Sequence, residues 1–350
     1  ERPGDPHGGF GNSGRAYGRQ GSGWLLTVRQ NSSSSRPASS SLAAVAAVGL
    51  GALAWGVLVE RNRFTLRHEV LPVLEPGARP LTVLHISDLH MAPWQRAKQE
   101  WVRSLAVYEP DLIIDTGDNL GHDDGIDGVE YALEPFRGIP GVFVNGSNDY
   151  HGPVMKNPFT YFSGPSPKRH APPSLDTHRL EAFFESLGWL NLNNTARAMS
   201  IKGSRLEFVG VNDAHIGWAK LEKLPGAMDE MRENVGWQDD PSGPDPLTIG
   251  LTHAPYQVVL NSLVNHGSEV IFAGHTHGGQ VCVPGYGALV TNCDIPREQV
   301  SGLSTWQHAR RSAYLNVSAG LGTSIYAPVR FACPPEAVLL TLTGADISYS

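Results

Sequence analysis

Five short apolar runs punctuate the chain, and all five end the same way. The segments 81–86, 112–114, 141–144, 247–251 and 270–273 contain no Asp, Glu, Lys or Arg. They are too short and too β-branched for surface helices and read as strands buried on both faces. Each then turns polar. Asp88 and His90 follow the first, Gly117, Asp118 and Asn119 the second, and Gly146-Ser147-Asn148-Asp149 the third; His253 follows the fourth, and His275 with His277 the fifth.

Between the first two runs, residues 95–108 set Trp101, Leu105 and Tyr108 on one helical face and stop before Pro110. Strand, helix, strand is the crossover unit of a parallel sheet, which collects ligand-binding residues at the carboxyl ends of its strands. A second helix is expected after a cap at Asp176, with Leu180, Phe183, Phe184 and Leu187 at helical spacing and Gly188 as its stop. Residues 206–211 read as a further strand ending in Asn212-Asp213-Ala214-His215, whereas 225–246 is polar and irregular, with a helix around 229–234. The stretch from His151 to Pro173 is rich in Pro, Gly and basic residues without periodicity. It reads as a long loop, either a binding element offering Lys156 and Arg169 to a substrate or a mobile insertion.

The first 41 residues are Gly-, Ser- and Arg-rich and are expected to be disordered. Residues 42–59 then form an uncharged apolar run, close to the roughly 20 helical residues that cross a bilayer. A cleaved signal peptide, with Ala52-Leu53-Ala54 as a small-residue site, and a buried core helix are the competing readings. A single-pass anchor is preferred because no charge interrupts the run and Arg61, Arg63 and Arg67 follow it. Those three arginines against Arg29 and Arg36 tilt the expected orientation slightly toward a cytoplasmic catalytic domain. Residues 60–79 are expected as a linker, and 80–350 as one domain.

Composition narrows the chemistry. An apolar fraction of 41%, with 39 Gly and 26 Pro among 350 residues, suits a loop-rich globular α/β protein with a sizeable core. A formal charge of −7 argues against a nucleic-acid partner, which would need clustered Lys and Arg. The three cysteines lack C-x-x-C spacing and suggest neither a disulfide framework nor a thiolate zinc site. Histidine is the informative residue. Asp-x-His at one strand end is by itself as consistent with a capped turn, and His-x-His in isolation is ambiguous too. On an extended backbone, however, His275 and His277 would share one side, with glycines allowing close approach to an ion. The recurring pattern supplies three carboxylate or amide groups, Asp88 and Asp118 among them, as oxygen donors and His90, His253, His275 and His277 as nitrogen donors. That set suffices for two divalent cations and suits Mn, Fe or Zn better than Mg.

The order Asp-x-His, Gly-Asp, a Gly-Asn-His-Asp-like segment, a lone His and Gly-His-Thr-His resembles the calcineurin-like metallophosphoesterase superfamily over roughly residues 80–345. The apolar N-terminal segment, Gly274-His275-Thr276-His277-Gly278-Gly279-Gln280, Gly320-Leu321-Gly322-Thr323, Pro328-Val329-Arg330-Phe331 and Pro334-Pro335-Glu336 are most similar to its membrane-associated, YkuE-like bacterial branch. The resemblance implies an αββα sandwich of two mixed sheets with flanking helices. It further implies that Asp88, His90 and His277 hold one metal and His253 and His275 the other, with Asp118 bridging. Where the family has Gly-Asn-His-Asp this chain has Gly146-Ser147-Asn148-Asp149; the amide of Asn148 is the better ligand for a hard cation than the hydroxyl of Ser147. The family's catalytic His is then displaced, and His151 or Asp149 is expected to take its place. The activity implied is two-metal phosphoester hydrolysis, with a metal-bridging hydroxide attacking phosphorus in line. An anchored enzyme suggests a lipid-linked or nucleotide-glycolipid phosphate as substrate. A soluble-substrate phosphodiesterase and a non-catalytic metal-binding scaffold on the same fold are the alternatives.

Overall fold

The computed structural model of the chain describes residues 38–153, 174–240 and 242–345. The chain divides after Ala46 into two units. The described part of the first is the opening of helix α1 (Ala38–Leu58), which starts four residues before the apolar run because Ala38 and the three serines after it continue the helix. The stretch Ser41–Asn62 is long and apolar enough to cross a membrane, and only 6% of its most apolar window is buried.

Among the described residues the second unit holds fourteen strands. In chain order the first five are β1 (Thr65–Leu74), β2 (Leu81–Ile86), β3 (Leu112–Asp115), β4 (Gly141–Phe143) and β5 (Trp189–Asn191). There follow β6 (Thr195–Ile201), β7 (Ser204–Gly210), β8 (Leu247–Leu251) and β9 (Val270–Ala273), a small ribbon of β10 (Cys282–Val283) and β11 (Gly287–Ala288), and then β12 (Gly302–His308), β13 (Arg311–Val317) and β14 (Glu336–Gly344). One six-stranded sheet has the order β1-β14-β2-β3-β4-β5 and the other β12-β13-β9-β8-β7-β6. The helices are α2 (Arg96–Ser104), α3 (Ile126–Leu133), the single turn α4 (Ser147–Tyr150), α5 (Thr177–Leu187), α6 (Leu224–Val235) and α7 (Gln257–Asn265).

The two sheets face each other across a core that includes Leu81, Val83, Leu112, Ile114 and Val142 from one and Phe208, Ile249, Leu251, Val270 and Phe272 from the other. Strand alternation turns Leu84, Ile86, Ile113 and Phe143 the opposite way, onto Val102, Val129, Leu180 and Phe184 of α2, α3 and α5. On the far side, Val209, Ile271 and Leu315 pack against Met228, Leu260 and Leu263 of α6 and α7. This is the four-layer αββα sandwich. Central strands buried on both faces have no polar face to show, which is why they appear as unbroken apolar runs. Each fully buried Leu, Ile, Val or Phe contributes about 1.5–3 kcal/mol. Asp176 caps α5 by accepting the N–H of Arg179, and Gly188 ends it at φ +97°.

Two expectations change. Residues 60–79 are not simply a linker, because β1 occupies their middle and pairs in parallel with β14, Thr65 opposite Glu336. β1 is an edge strand whose Arg67 and Glu69 form an ion pair at 2.8 Å, so it carries no apolar alternation to betray it. The helix expected around 229–234 runs from Leu224 to Val235, begun by a proline in its first turn and stopped by Gly236 at φ +65°.

Strands β2, β3, β4 and β5 are mutually parallel, as are β7, β8, β9 and β13. Their carboxyl ends therefore gather the polar segments at one edge of the sandwich.

Candidate metal centre

Backbone hydrogen bonds lock the first two strand ends together: the N–H of Asp88 donates to Gly117 O at 2.8 Å and that of His90 to Asp118 O at 2.9 Å. Asp149 fixes the third. Its Oδ2 accepts the N–H groups of Asp118 and Gly146, both at 2.9 Å, and its Oδ1 those of Asn119 at 2.7 Å and Leu120 at 3.3 Å. Burial first, then the charge of Asp118, pushes the Asp149 carboxyl up to about 8. Four converging N–H donors nonetheless suit the ionised form. Both oxygens are occupied by backbone, so Asp149 braces the Asp118 turn rather than offering a proton to a substrate.

At the centre stands Asp118. Its Oδ2 lies 3.6 Å from Nε2 of His90 and 3.4 Å from Nε2 of His253. The Asn148 amide reaches the same oxygen at 2.6 Å, and the Asn148 N–H donates to Oδ1 at 2.8 Å. Nε2 of His277 lies 3.7 Å from Asp88 Oδ1 and 3.2 Å from Nε2 of His90. Nδ1 of His275 lies 3.2 Å from Nε2 of His253. Potential ligand atoms of Asp88, His90 and His277, and of Asp88, Asp118 and His253, fall within 4.8 Å of one another. The seven residues expected as ligands are thus brought together from loops far apart in the chain.

The backbone that does this is strained. Asp88, His90, Asp118, His275 and His277 have φ of +50°, +40°, +57°, +67° and +50°, a region that costs non-glycine residues about 1–3 kcal/mol each. The His275–His277 segment is therefore not extended as expected. Left-handed turns send His275 toward His253 and His277 toward His90, so the two imidazoles serve opposite sides of the centre. Gly274 is required before them, because a Cβ there would collide with Ser87 Oγ and lie 2.5 Å from Asp88 Oδ2.

Electrostatics favour a cation. Burial holds the His90 imidazole down to about 4. Burial together with neighbouring imidazoles keeps His275 and His277 well below the usual range. These rings stay neutral, and their nitrogens converge: His90 Nε2 on His277 Nε2 and His275 Nδ1 on His253 Nε2, each at 3.2 Å. Burial opposes charging His253 too, but the Asp118 carboxylate raises it well above its ordinary value, and His253 in turn holds Asp118 well below its own despite burial. A field that would hold a proton there would also hold a metal. Outer hydrogen bonds orient the rings: Thr116 O lies 2.8 Å from His253 Nδ1, leaving Nε2 to face inward, and Asn292 O lies 3.2 Å from His275 Nε2, leaving Nδ1 inward.

His151 follows α4. Its ring lies 5.9 Å from that of Trp218, and its Nδ1 has no hydrogen-bond partner among the described residues. Lys156 and Arg169 lie outside the described residues. Sequence reasoning missed three neighbours. The His215 ring sits 4.6 Å from that of His275 and its Nδ1 3.0 Å from the Tyr256 hydroxyl; its place at the polar end of β7 was the available signal. Asn292 had no local signal, and Arg330, with Nη2 at 3.5 Å from His277 Nδ1, had only its place in the Pro328–Phe331 block.

An αββα sandwich presenting carboxylates and imidazoles in this order at its strand ends defines a metal-dependent phosphoester hydrolase. The chain belongs to the calcineurin-like phosphoesterase family, whose model matches residues 81–279. The Bacillus subtilis (strain 168) protein YpbG, itself uncharacterised, is 26% identical over 276 residues, covering 77% of this chain and 84% of its own length. The uncharacterised metallophosphoesterase YkuE of the same organism is 22% identical over 296 residues, or 83% and 87%. Among solved structures, the NAD nucleotidase NadN of Haemophilus influenzae gives a TM-score of 0.39 at 11% identity, over 70% of this chain and 51% of that one. So distant a likeness carries no inference about substrate. The donors at the centre fit the divalent metals that the family uses.

Proposed function

We propose that the centre binds two divalent cations, Mn, Fe or Zn, and that the chain is a single-pass membrane hydrolase of a lipid-linked or nucleotide-glycolipid phosphoester. Asp88, His90 and His277 would hold one cation, His253, His275 and the Asn148 amide the other, with Asp118 shared. The observation that carries this reading is the position of Asp118 Oδ2, at 3.6 Å from one imidazole and 3.4 Å from another on its opposite side. Bound cations would lower the pKa of a water toward neutrality and offset charge on the phosphoryl oxygens.

The chain's own residues do the rest. Asp149 holds the Asp118 turn rigid, Thr116 and Asn292 set the ring orientations, and burial keeps the His90, His275 and His277 imidazoles neutral and able to ligate. His151, with an unengaged ring nitrogen, is the proposed proton donor to the leaving group. The lipid-linked substrate rests on α1, whose apolar length suits a bilayer.

The test is elemental analysis of the purified full-length chain in detergent, with a Mn²⁺-supplemented screen over monoesters, diesters and nucleotide-glycolipids. Two metals per chain and fastest turnover of the lipid-bearing ester are expected. Metals without turnover of any ester would favour a binding scaffold. Equal rates on a water-soluble diester would remove the lipid.

A further inference from the structure

Arg330 is fully buried and has no task in the chemistry so far described. Its two terminal nitrogens are directed mainly at backbone carbonyls. Nη2 donates to the carbonyls of Ala319 at 2.7 Å, Gly320 at 3.0 Å and Gly322 at 2.7 Å, while Nη1 reaches those of Cys333 at 3.4 Å and His277 at 3.5 Å. Five donors in a planar fork make arginine suited to tying several chain segments at once.

The segments it ties carry the metal-centre residues. The N–H of Leu321 donates to Ser87 O at 3.1 Å and that of Gly322 to Asp88 O at 2.6 Å. The 320–322 turn packs so closely on the Asp88–His90 loop that a Cβ at Gly322 would lie 2.7 Å from that of His90. His277 is touched directly, through its carbonyl and at 3.5 Å from its Nδ1.

On its other side the same stretch receives the end of α1. The Arg330 N–H donates to Gly56 O at 3.3 Å. Glu60, 5% exposed, accepts the Cys333 N–H on Oε1 at 2.7 Å and the Trp55 indole N–H on Oε2 at 2.9 Å. Gly56 lies in the last turn of α1 and Glu60 in the 3-10 turn Glu60–Asn62 just beyond it, and both meet the 330–333 stretch. A Cβ at Gly56 would lie 2.6 Å from Arg330 O and 2.9 Å from Val329 Cγ2, whereas Gly49 and Gly51 of the same helix face open space. An uncharged helix that served only as a tether would need neither a glycine at the contact nor a buried carboxylate just beyond it.

We infer that Arg330 is a positioning residue that couples the docked end of α1, through Gly56 in its last turn and Glu60 in the turn that follows, to the loops bearing Asp88, His90 and His277. The end of the apolar helix is then a working part of the hydrolase. This rests on the two-cation reading of the centre.

The experiment uses the full chain in detergent, compares Gly56→Leu with Gly51→Leu, and reads two quantities: Mn²⁺ affinity by titration, and the alkylation rate of buried Cys333 by peptide mass. Undocking should weaken Mn²⁺ binding at one site by about 10–100-fold, the range for residues that support ligands. Cys333 should then label at least about 10-fold faster as its cover opens. Gly51→Leu should change neither. Glu60→Gln, which keeps an acceptor for the Cys333 N–H, should stay near wild type, while Glu60→Ala should follow Gly56→Leu. The proposal is overturned if Gly56→Leu binds Mn²⁺ like wild type, even with Cys333 exposed, or if Gly51→Leu is equally damaging. A wild-type chain that binds Mn²⁺ but cleaves no ester would remove the hydrolase reading and leave this coupling standing; one that binds no Mn²⁺ would remove both.

Discussion

Oδ2 of Asp118 stands 3.4 Å from Nε2 of His253, and both side chains are buried to the point that neither charge reaches water. The carboxylate is therefore the main source of negative potential for the imidazoles on either side. Asp118→Asn keeps the shape and removes the charge. Metal-dependent hydrolysis of an aryl phosphate ester should fall by at least about 10²–10³-fold, the usual cost of losing one preorganised electrostatic group. Most of the activity surviving in that variant would take Asp118 out of the bridging role.

Asn148 and Ser147 compete for the amide position of the family motif. The Asn148 side chain is the one that reaches Asp118 Oδ2, at 2.6 Å. Asn148→Ala should weaken binding of one cation by about 10–100-fold, and Ser147→Ala by no more than about 3-fold. The check is a Mn²⁺ titration of each variant. A reversed order would move the ligand to Ser147.

His151 should matter in proportion to the difficulty of the leaving group. General-acid help is worth about 10²–10⁴-fold when the departing alkoxide is a strong base and little when it is a nitrophenolate. His151→Ala is thus expected to slow an alkyl phosphate ester far more than 4-nitrophenyl phosphate. Equal losses on the two would argue for a structural role.

Lys98 gives a pH dependence of stability. Its Nζ donates to Leu89 O at 2.6 Å, and burial first, then the charges of Arg330 and Arg61, pushes its pKa from 10.5 down to about 7. Between those values the unfolded chain holds a proton that the folded chain has released. Raising the pH through this window therefore stabilises the fold, and below it the full cost of the buried ammonium is present. In urea unfolding of metal-stripped protein, the stability advantage of Lys98→Met over wild type should shrink from pH 7 upward, by at most about 1.4 kcal/mol per pH unit. A constant gap across that range would show that Lys98 keeps its charge.

Much of the centre was legible in the sequence because central strands of a parallel sheet are apolar on both faces. Their polar ends then stand out as Asp88, His90, Asp118, His253, His275 and His277 without any knowledge of their neighbours. The cap at Asp176 and the stop at Gly188 were legible for a similar reason, since helix ends are satisfied by residues close in sequence. β1 was not, because an edge strand mixes Arg67 and Glu69 with its apolar residues and finds its partner about 270 positions away.

The order and chemistry of the strand ends were set by the sequence alone, since burial on both faces is written into each run. Tertiary structure alone decided where those side chains point. His275 and His277 part company only because left-handed backbone turns them away from each other, at φ +67° and +50°. Arg330 acquires its place only when the loop of His277, more than fifty residues before it, and the 319–322 turn offer it their carbonyls. Side-chain direction follows from local backbone dihedrals imposed by distant hydrogen bonds, and no nearby residue records them.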